Sequence, residues 1–392
     1  MALPLLALAI AVAAPQEAQT ETHTHRAPPG DTASEPAPPF QLEAVYTAEV
    51  IGNVAGGVAR GVRYLDNVDV IADADLARIA GWRGARLHLY ALYNNGASLG
   101  ELTGDAQAVS NIETGVRALR LYEMWLDQRI GAGISLRTGL YDLNSEFDSL
   151  DSAGLFVSSP HGIGTDFAQS GGNGPSIFPA TSLAARIEVA ATRDLTFRAA
   201  ILDGVPGDPA RPGRTVIRLR PSDGALIVGE GEMRLGGGKI LLGHWRYTAR
   251  FDRQDGAGQA RGNSGSYLRA ELPIVQGDGP AITTFARLGV ARARFNMFDR
   301  FASAGLTVAG LHADRPADQF GIALAAAFTG APYRAATGAA ASEVAIEASY
   351  RAPLTPWLAV QPNLHYVRRP SADPAIGDAL VLGLRMEFGF SR

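Results

Sequence analysis

The stretch that decides the fold is Ala379-Leu380-Val381-Leu382-Gly383-Leu384-Arg385-Met386-Glu387-Phe388-Gly389-Phe390, close to the carboxyl end of the chain. Every second residue from Leu380 to Phe390 is apolar, whereas the intervening positions from Gly383 onward carry glycine, arginine and glutamate. Successive side chains of a β-strand point to opposite sides. The alternation therefore predicts a strand with one apolar face and one polar face.

The same alternation recurs upstream at short spacing. It occupies the runs 241–251, 268–274, 320–328, 344–351 and 358–366. A strand of about 9–11 residues crosses a bilayer when it is tilted by about 45°. These runs therefore predict a series of strands that cross a membrane with their apolar faces toward lipid.

The run 241–251 is assigned in the same way. Its apolar face is expected to hold Leu241, Trp245, Tyr247 and Phe251. Arg246 and Arg250 would then lie on the opposite face, toward the inside.

Short turns and long loops separate the runs. Gly131, Arg193-Asp194 and Gly236-Gly237-Gly238 predict tight hairpins, whereas 145–180 and 204–215 are long and rich in turn residues. Short periplasmic turns and long external loops are typical of an outer-membrane barrel. The runs number about 15 or 16, and bacterial single-chain barrels have even strand numbers. The predicted fold class is all-β, a transmembrane antiparallel up-and-down β-barrel of 16 strands over residues 43–392.

Charged residues in the middle of the runs favour a closed barrel over a soluble β-sandwich or β-helix, which is the alternative. Arg385 with Glu387, and Glu347 with Arg351, stay solvated if they face a water-filled lumen. A barrel of about 16 strands leaves such a lumen, and its closure satisfies every backbone hydrogen bond within the bilayer. After the amino terminus no apolar run approaches the roughly 18 residues of a spanning helix.

The amino-terminal region predicts export. Residues 1–14 contain a short apolar stretch that ends in small residues, which is typical of a signal peptide, although no Lys or Arg precedes it. Residues 15–42 are polar and proline-rich and predict a disordered leader. The chain has no cysteine, and its formal net charge of −4 argues against nucleic acid as a partner. The expected location is the Gram-negative outer membrane.

Two loop motifs invite other interpretations. Ser158 or Ser159 near His161 would suit a barrel lipase or protease, which is the alternative function of a different class. Asp142, Glu146 and Asp148 could bind calcium, but hydrogen bonding within the loop is the favoured interpretation. We therefore predict no metal, no cofactor and no catalytic residue. A structural barrel with a plugged lumen is a third possibility.

Several sequence blocks carry a family resemblance. In chain order they are DAQAVSNIE (105–113), RLYEMWLDQ (120–128), SLRTGLYDLNSEFD (135–148), GIGTDFAQSG (162–171), GPSIFP (174–179), LDG (202–204) and LTPWLAVQPN (354–363). Together with the last strand, this succession resembles the carbohydrate-selective porin family of the OprB type. The resemblance implies a 16-stranded barrel in which inward loops and wall arginines and acids narrow a sugar-permeable channel.

Sugars offer many hydroxyls and no charge, so a polar lumen can replace their hydrogen bonds to water at little net cost. Phe147, Phe156 and Phe167 are expected to stack on sugar faces. The candidate pore-lining residues are Glu123, Arg137, Asp142, Asn144, Glu146, Asp148, Arg246, Arg250, Arg351, Arg385 and Glu387. The expected function is passive diffusion of carbohydrates and other small hydrophilic solutes by a monomer or homotrimer. Its other expected partners are outer-membrane lipid and the barrel assembly machinery.

Overall fold

Strands dominate the computed structural model, which describes residues 38–277 and 279–391. In chain order the strands are β1 (Phe40–Gly57), β2 (Gly61–Asp75), β3 (Ala85–Asn94), β4 (Ala118–Ile130), β5 (Ile134–Tyr141), β6 (Ser182–Ala190), β7 (Leu195–Asp203), β8 (Ala225–Leu235), β9 (Gly238–Tyr247), β10 (Arg250–Asp252), β11 (Gln259–Arg261), β12 (Ser264–Val275), β13 (Ala281–Ala291), β14 (Phe298–Ala309), β15 (Gln319–Thr329), β16 (Ser342–Thr355), β17 (Leu358–Arg368) and β18 (Gly377–Ser391). All of these except β10 and β11 form one closed antiparallel barrel in which β18 pairs with β1. The predicted barrel of 16 strands is confirmed.

The two ends of the barrel differ in the length of their connections. At one end, which we call the short-turn end, adjacent strands are joined by residues 131–133, 191–194, 236–237 and 356–357. The opposite end, the long-loop end, carries the connections 95–117, 142–181, 204–224 and 248–263. The hairpins predicted at Gly131, Arg193-Asp194 and Gly236 to Gly238 all join consecutive strands at the short-turn end.

All helices lie in the connections. They are α1 (Leu76–Ala80), α2 (Gly100–Thr103), α3 (Thr165–Ala168) and α4 (Ala331–Thr337), with 3₁₀ turns at Leu143–Ser145, Ser152–Leu155, Ser159–His161 and Pro370–Ala372. None of the helices in the described ranges has the length and apolar character needed to cross a membrane. Strand β1 begins at Phe40, inside the segment that was assigned to the leader. The rest of that leader, up to residue 37, and the predicted signal peptide lie outside the described residues.

The connection 142–181, which we call the inserted loop, identifies the inner face of the wall. Its residues form hydrogen bonds with five side chains from separate strands. These side chains are Glu230 on β8, Arg269 on β12, Arg287 on β13, Glu347 on β16 and Gln361 on β17. One loop can reach all of these strands only from inside the closed barrel.

Strand β18 has the faces that its alternation predicted. Leu382, Leu384 and Phe390 are 51%, 41% and 62% exposed and point outward, whereas Arg385 and Glu387 point into the barrel. The register with β17 places Arg385 opposite Gln361, which the inserted loop contacts from inside. An apolar outer wall and a polar inner wall follow from this pairing.

The face assignment of β9 was wrong. Register pairs Leu241 with the inward-facing Arg269, so Trp245 and Tyr247 also point inward and Arg246 points outward. Trp245 is fully buried because its ring stacks on Phe167 of the inserted loop, at 5.0 Å between ring centroids. An inner wall can thus be aromatic where a loop covers it.

Arg250 is not part of the barrel wall either. It lies on β10, which pairs only with β11 in a hairpin at the long-loop end, and its guanidinium donates to the Gln259 carbonyl at 2.9 Å. The sequence prediction continued the alternation of β9 to residue 251, whereas the barrel strand ends at Tyr247.

Candidate functional site

Two connections from the long-loop end meet inside the barrel. The inserted loop and the connection 95–117, which we call the companion loop, are joined by backbone hydrogen bonds. Ser159 N–H donates to the Ala108 carbonyl at 3.1 Å, and Asn111 N–H donates to the Val157 carbonyl at 2.7 Å. The two loops therefore form one body that narrows the lumen.

Arg287 fastens the inserted loop to the wall. Its guanidinium forms a bidentate pair with Asp148, at 2.9 and 2.7 Å, and contacts Asp166 at 2.5 Å. All three side chains are buried. A Cβ atom at Gly164 or Gly289 would overlap the Arg287 guanidinium, so glycine at both positions makes room for the arginine.

Arg269 adds a second attachment beside Arg287. Its guanidinium donates to the backbone carbonyls of His161 and Gly162, both at 2.7 Å, and to that of Asp148. Carbonyl oxygens of a loop have no strand partners, and an arginine offers five donors in a fixed fork. The wall arginine therefore supplies the hydrogen bonds that the loop backbone lacks.

Wall glutamates also accept hydrogen bonds from the backbone of the inserted loop. Glu230 accepts from Asp148 N–H at 2.8 Å, and Glu347 accepts from the N–H groups of Val157 and Ser158 at 2.8 and 3.0 Å. Hydrogen bonds to an ionised acceptor are stronger than neutral ones. The inserted loop is thus held by both acids and arginines of the inner wall.

Two of the predicted site residues, Arg137 and Glu146, come together in a group of four charges. Arg137 lies 3.4 Å from Glu146 and 3.1 Å from Asp127, and Arg186 contacts the same two acids at 2.6 and 3.1 Å. Burial alone would raise the pKa of Glu146, but the two guanidinium groups lower it to about 2. The first turn of the inserted loop is therefore attached by an ionised carboxylate.

Glu123, Asp142 and Asn144 lie where β5 runs into the inserted loop. Asp142 N–H donates to Glu123 at 2.8 Å, and Asn144 donates its amide to the carbonyls of Phe147 and Asp148. Burial, followed by the nearby charge of Glu123, raises the pKa of Asp142 to about 7. Burial and the neighbouring carboxylate therefore both favour the neutral form of Asp142.

The remaining predicted arginines, Arg351 and Arg385, both lie on the inner wall. Arg351 pairs with Glu387 at 2.8 Å, and Arg385 pairs with Glu49 at 2.9 Å. The Arg385 pair is buried against Ser110 of the companion loop, whereas the Arg351 side chain keeps 25% of its surface exposed.

Several accessible charges line the half of the barrel nearer the short-turn end. Besides Arg351, the side chains of Arg86, Arg198 and Lys239 keep 40%, 16% and 15% of their surfaces, and each lies within 2.9–3.1 Å of a carboxylate. All of them project from the inner face within a few residues of a short turn. The lumen below the inserted loop is thus lined by paired charges.

The expectation that loop aromatics stack on sugars is not met by this structure. Phe147, Phe156 and Phe167 are all buried in apolar clusters between the inserted loop and the wall. Phe167 stacks on Trp245, and Phe156 packs 5.7 Å from Phe285. These rings stabilise the docked loop and offer no free face to a solute.

The residues considered for catalysis or calcium binding instead take part in attaching the inserted loop to the wall. Ser158 donates its hydroxyl to Glu347 at 2.5 Å, and neither ring nitrogen of His161 has a hydrogen-bond partner among the described residues. A serine nucleophile and its base are therefore not paired here. Asp142, Glu146 and Asp148 contact different partners, and the described ranges contain no group of three or more potential metal ligands.

A closed barrel of 16 strands, with a polar inner wall and a loop folded into its lumen, defines the porin class of channels. The comparison with protein families agrees with this class. Residues 59–390 match the model of the carbohydrate-selective porin, OprB family, and the chain belongs to that family. It is accordingly a channel protein and not an enzyme.

Individual relatives extend over nearly the same region. Porin B of Pseudomonas aeruginosa is 23% identical over an aligned length of 403 residues. The aligned region covers 90% of this chain and 87% of the relative. The high-pH structure of Pseudomonas putida OprB superposes with a TM-score of 0.79 at 21% identity and covers 90% of this chain and 94% of that one. The low-pH structure of the same protein gives a TM-score of 0.57 at 18% identity, covering 90% and 92% of the two chains.

The sequence prediction missed the two ends of the main attachment, Arg287 and Asp166. A signal for Arg287 was present, because Phe285, Arg287 and Gly289 alternate with Ala286, Leu288 and Val290 and so share the inner face. Asp166 carries no periodic signal, since it lies in a short helix of the inserted loop. Its role depends on how that loop folds back.

Proposed function

We propose that the chain is an outer-membrane channel of Gram-negative bacteria through which carbohydrates and other small hydrophilic solutes diffuse passively. The observation that carries the proposal is the inserted loop, which narrows the lumen while paired charges remain accessible below it. An opening lined by such groups can exchange hydrogen bonds with sugar hydroxyls as the sugar sheds water. Transit also requires weak binding, so that each contact is easily released.

Paired charges favour uncharged solutes. Arg351, Arg198 and Lys239 each contact a carboxylate, so their fields are partly cancelled while their remaining N–H groups stay available as donors. A sugar can use these donors without bringing a counter-charge. We further propose that the long loops face the exterior, that lipid surrounds the apolar outer wall, and that the barrel assembly machinery inserts a monomer or homotrimer.

The test is sugar-dependent swelling of liposomes that contain the full chain, with a panel of mono- and disaccharides. The chain has no cysteine, so single-cysteine variants can be labelled at one place. A charged, membrane-impermeant thiol reagent on Arg351→Cys should slow swelling by sugars, because that side chain faces the lumen. The same reagent offered to Leu384→Cys, on the outer wall, should have no effect.

Two results would overturn the proposal. Properly folded protein, verified by heat-modifiable gel mobility and a β-rich spectrum, that gives no swelling with any sugar would indicate a plugged structural barrel. Swelling that is insensitive to the label on Arg351→Cys would show that solutes do not pass this part of the wall.

A further inference from the structure

A groove lies on the outer wall, at the long-loop end and under the connection 204–224. Its volume is about 410 Å³. The outward-facing side chains of Thr138, Leu183 and Ile201 line it from the barrel, and Leu219 lines it from the connection. A volume of this order suits a small ligand, and the lining is mostly apolar.

The connection 204–224 passes from the mouth of the barrel, where Arg120 donates to the Pro212 carbonyl at 2.7 Å, to the outside of the wall, where Leu219 lines this groove. Thr215 donates its hydroxyl to the Leu121 carbonyl on β4 at 2.9 Å, while Leu219 lines the groove together with Ile201 on β7. The strands in between, β5 and β6, have only 8 and 9 residues, so the wall is low here. The connection thus covers a low stretch of the rim from outside.

Two apolar side chains of this segment are largely exposed. Ile217 and Leu219 are 56% and 68% exposed. Burying such a side chain in an apolar environment is favourable because it removes apolar surface from water. The segment is therefore suited to contact with hydrocarbon at the level of the groove.

The same segment is strongly basic. Residues 204–224 contain four arginines and two aspartates, a net charge of +2. Asp208 pairs with Arg211 and Arg218, at 3.2 and 2.7 Å. Among the described residues, Arg214 and Arg220 have no carboxylate within ion-pair distance, and both are exposed. The positive charge next to Leu219 is thus available to an anion.

We propose that this groove binds a phosphorylated acyl lipid of the outer leaflet, of the lipid A type. An acyl chain would lie against Leu219 and Ile201, and a phosphate would pair with Arg214 and Arg220. Arginine matches phosphate with two parallel hydrogen bonds, and apolar cover beside the pair keeps water away. The site depends on the long loops facing the exterior but not on the passage of sugars.

The test uses native mass spectrometry of the full chain in detergent, titrated with lipid A, with dephosphorylated lipid A and with phosphatidylglycerol. An arginine near a membrane surface contributes about 1 kcal/mol toward an anionic lipid, and 1.4 kcal/mol is tenfold in affinity. The double variant Arg214→Gln/Arg220→Gln should therefore bind lipid A about 30-fold more weakly. Arg250→Gln/Arg261→Gln, which removes two exposed arginines from the β10–β11 hairpin at the same end, should bind it like the parent.

Leu219→Ser separates the apolar contact from the phosphate contact, because it should weaken both lipid A and its dephosphorylated form. The inference is wrong if dephosphorylated lipid A binds the parent equally well, or if the double variant retains the parent's affinity. It is also wrong if the groove is occupied by a second copy of the chain, seen as a lipid-free dimer that Leu219→Ser dissociates. Preference for phosphatidylglycerol over lipid A would overturn the assigned lipid class.

Sugar-dependent swelling is measured on the same variants. It should be unchanged, because none of these side chains belongs to the paired charges below the inserted loop. A loss of lipid binding with normal swelling, or the reverse, therefore separates this inference from the proposed channel function.

Discussion

Replacing Arg287 with methionine should release the inserted loop from the barrel wall. Arg287 is the shared cation of Asp148 and Asp166, and all three groups are buried. Removing one partner of a buried ion pair costs about 3–5 kcal/mol, because the remaining charge is left unpaired. Arg269 still lies 3.4 Å from Asp148 and compensates in part, so we expect the lower end of this range. A cost of about 3 kcal/mol raises the undocked fraction of the loop roughly 100-fold.

Hydrogen exchange of the inserted loop in detergent measures this change directly. Peptides from 142–181 should exchange faster in Arg287→Met, while the strands of the barrel keep their protection. Single-channel recordings should show a larger and noisier conductance, since the loop no longer narrows the lumen steadily. Arg351→Met is the matched control, because this partly exposed arginine pairs with one carboxylate, that of Glu387, among the residues the structure describes, and its loss should cost about 1 kcal/mol or less.

A rescue separates charge from packing. Asp166→Asn, added to Arg287→Met, replaces the carboxylate that has lost its partner with a neutral group of the same shape, while Asp148 keeps Arg269, and it should restore part of the slow exchange. Equal loop exchange in Arg287→Met and the parent would refute the reasoning. A double variant that exchanges as fast as the single variant would show that charge is not the cause.

Three further perturbations test the same arrangement. Burial lowers the pKa of His161 to about 4, whereas the histidine of a released loop has a pKa of about 6.5. Protonation therefore favours the released loop, and docking of the inserted loop should weaken by about 3 kcal/mol as the pH falls from about 6.5 to about 4. Loop exchange that is flat over this range in the parent, or equally steep in His161→Gln, would contradict this. A Cβ at Gly321 would lie 2.7 Å from Leu155 and Phe156, so Gly321→Ala should weaken docking by about 1–3 kcal/mol and speed loop exchange. Gly389→Ala on β18, with no atom within 4 Å, should leave loop exchange unchanged. Arg351→Met should shift the reversal potential toward cation selectivity, because it removes an accessible positive charge from the lumen, and an unchanged potential would refute that placement.

The barrel could be predicted from the sequence because its two faces meet different solvents. On β18, lipid requires the apolar series that ends in Phe390, and a polar interior tolerates Arg385 and Glu387. This contrast between the two faces repeats with period two, so it can be recognised in the sequence without knowing the structure of the loops. Strand pairing and closure of the barrel follow, since hydrocarbon offers no hydrogen-bond partner and every backbone group must therefore be paired within the protein.

The same logic failed on β9 for a physical reason. Trp245 and Tyr247 face inward because Phe167 and its neighbours on the inserted loop form an apolar cluster with them. Where protein, and not water, covers the inner wall, the period-two pattern no longer distinguishes inside from outside. The outward Arg246 lies one residue from the end of β9 at the long-loop end, where a long charged side chain can reach the membrane surface.

The attachment of the loop could be predicted only in part. Arg137 and Glu146 were both expected at the pore, but their shared partner Arg186 lies on the far side of the inserted loop in the sequence. Register between β5 and β6 brings Arg137 opposite Arg186, and two like charges at that spacing require the two acids between them. Such a group is a property of the folded wall and loop together.

The charged side chains of the inner wall form two groups, one buried beneath the inserted loop and one accessible from the lumen. Arg269 and Arg287 are covered by the inserted loop. Their guanidinium groups form hydrogen bonds with that loop and are not accessible to a solute. Arg351 and Lys239, nearer the short turns, keep both a carboxylate partner and exposed surface. Substituting a covered arginine should therefore change the width of the opening for every solute alike. Substituting an accessible one should change which solutes are preferred at nearly constant width.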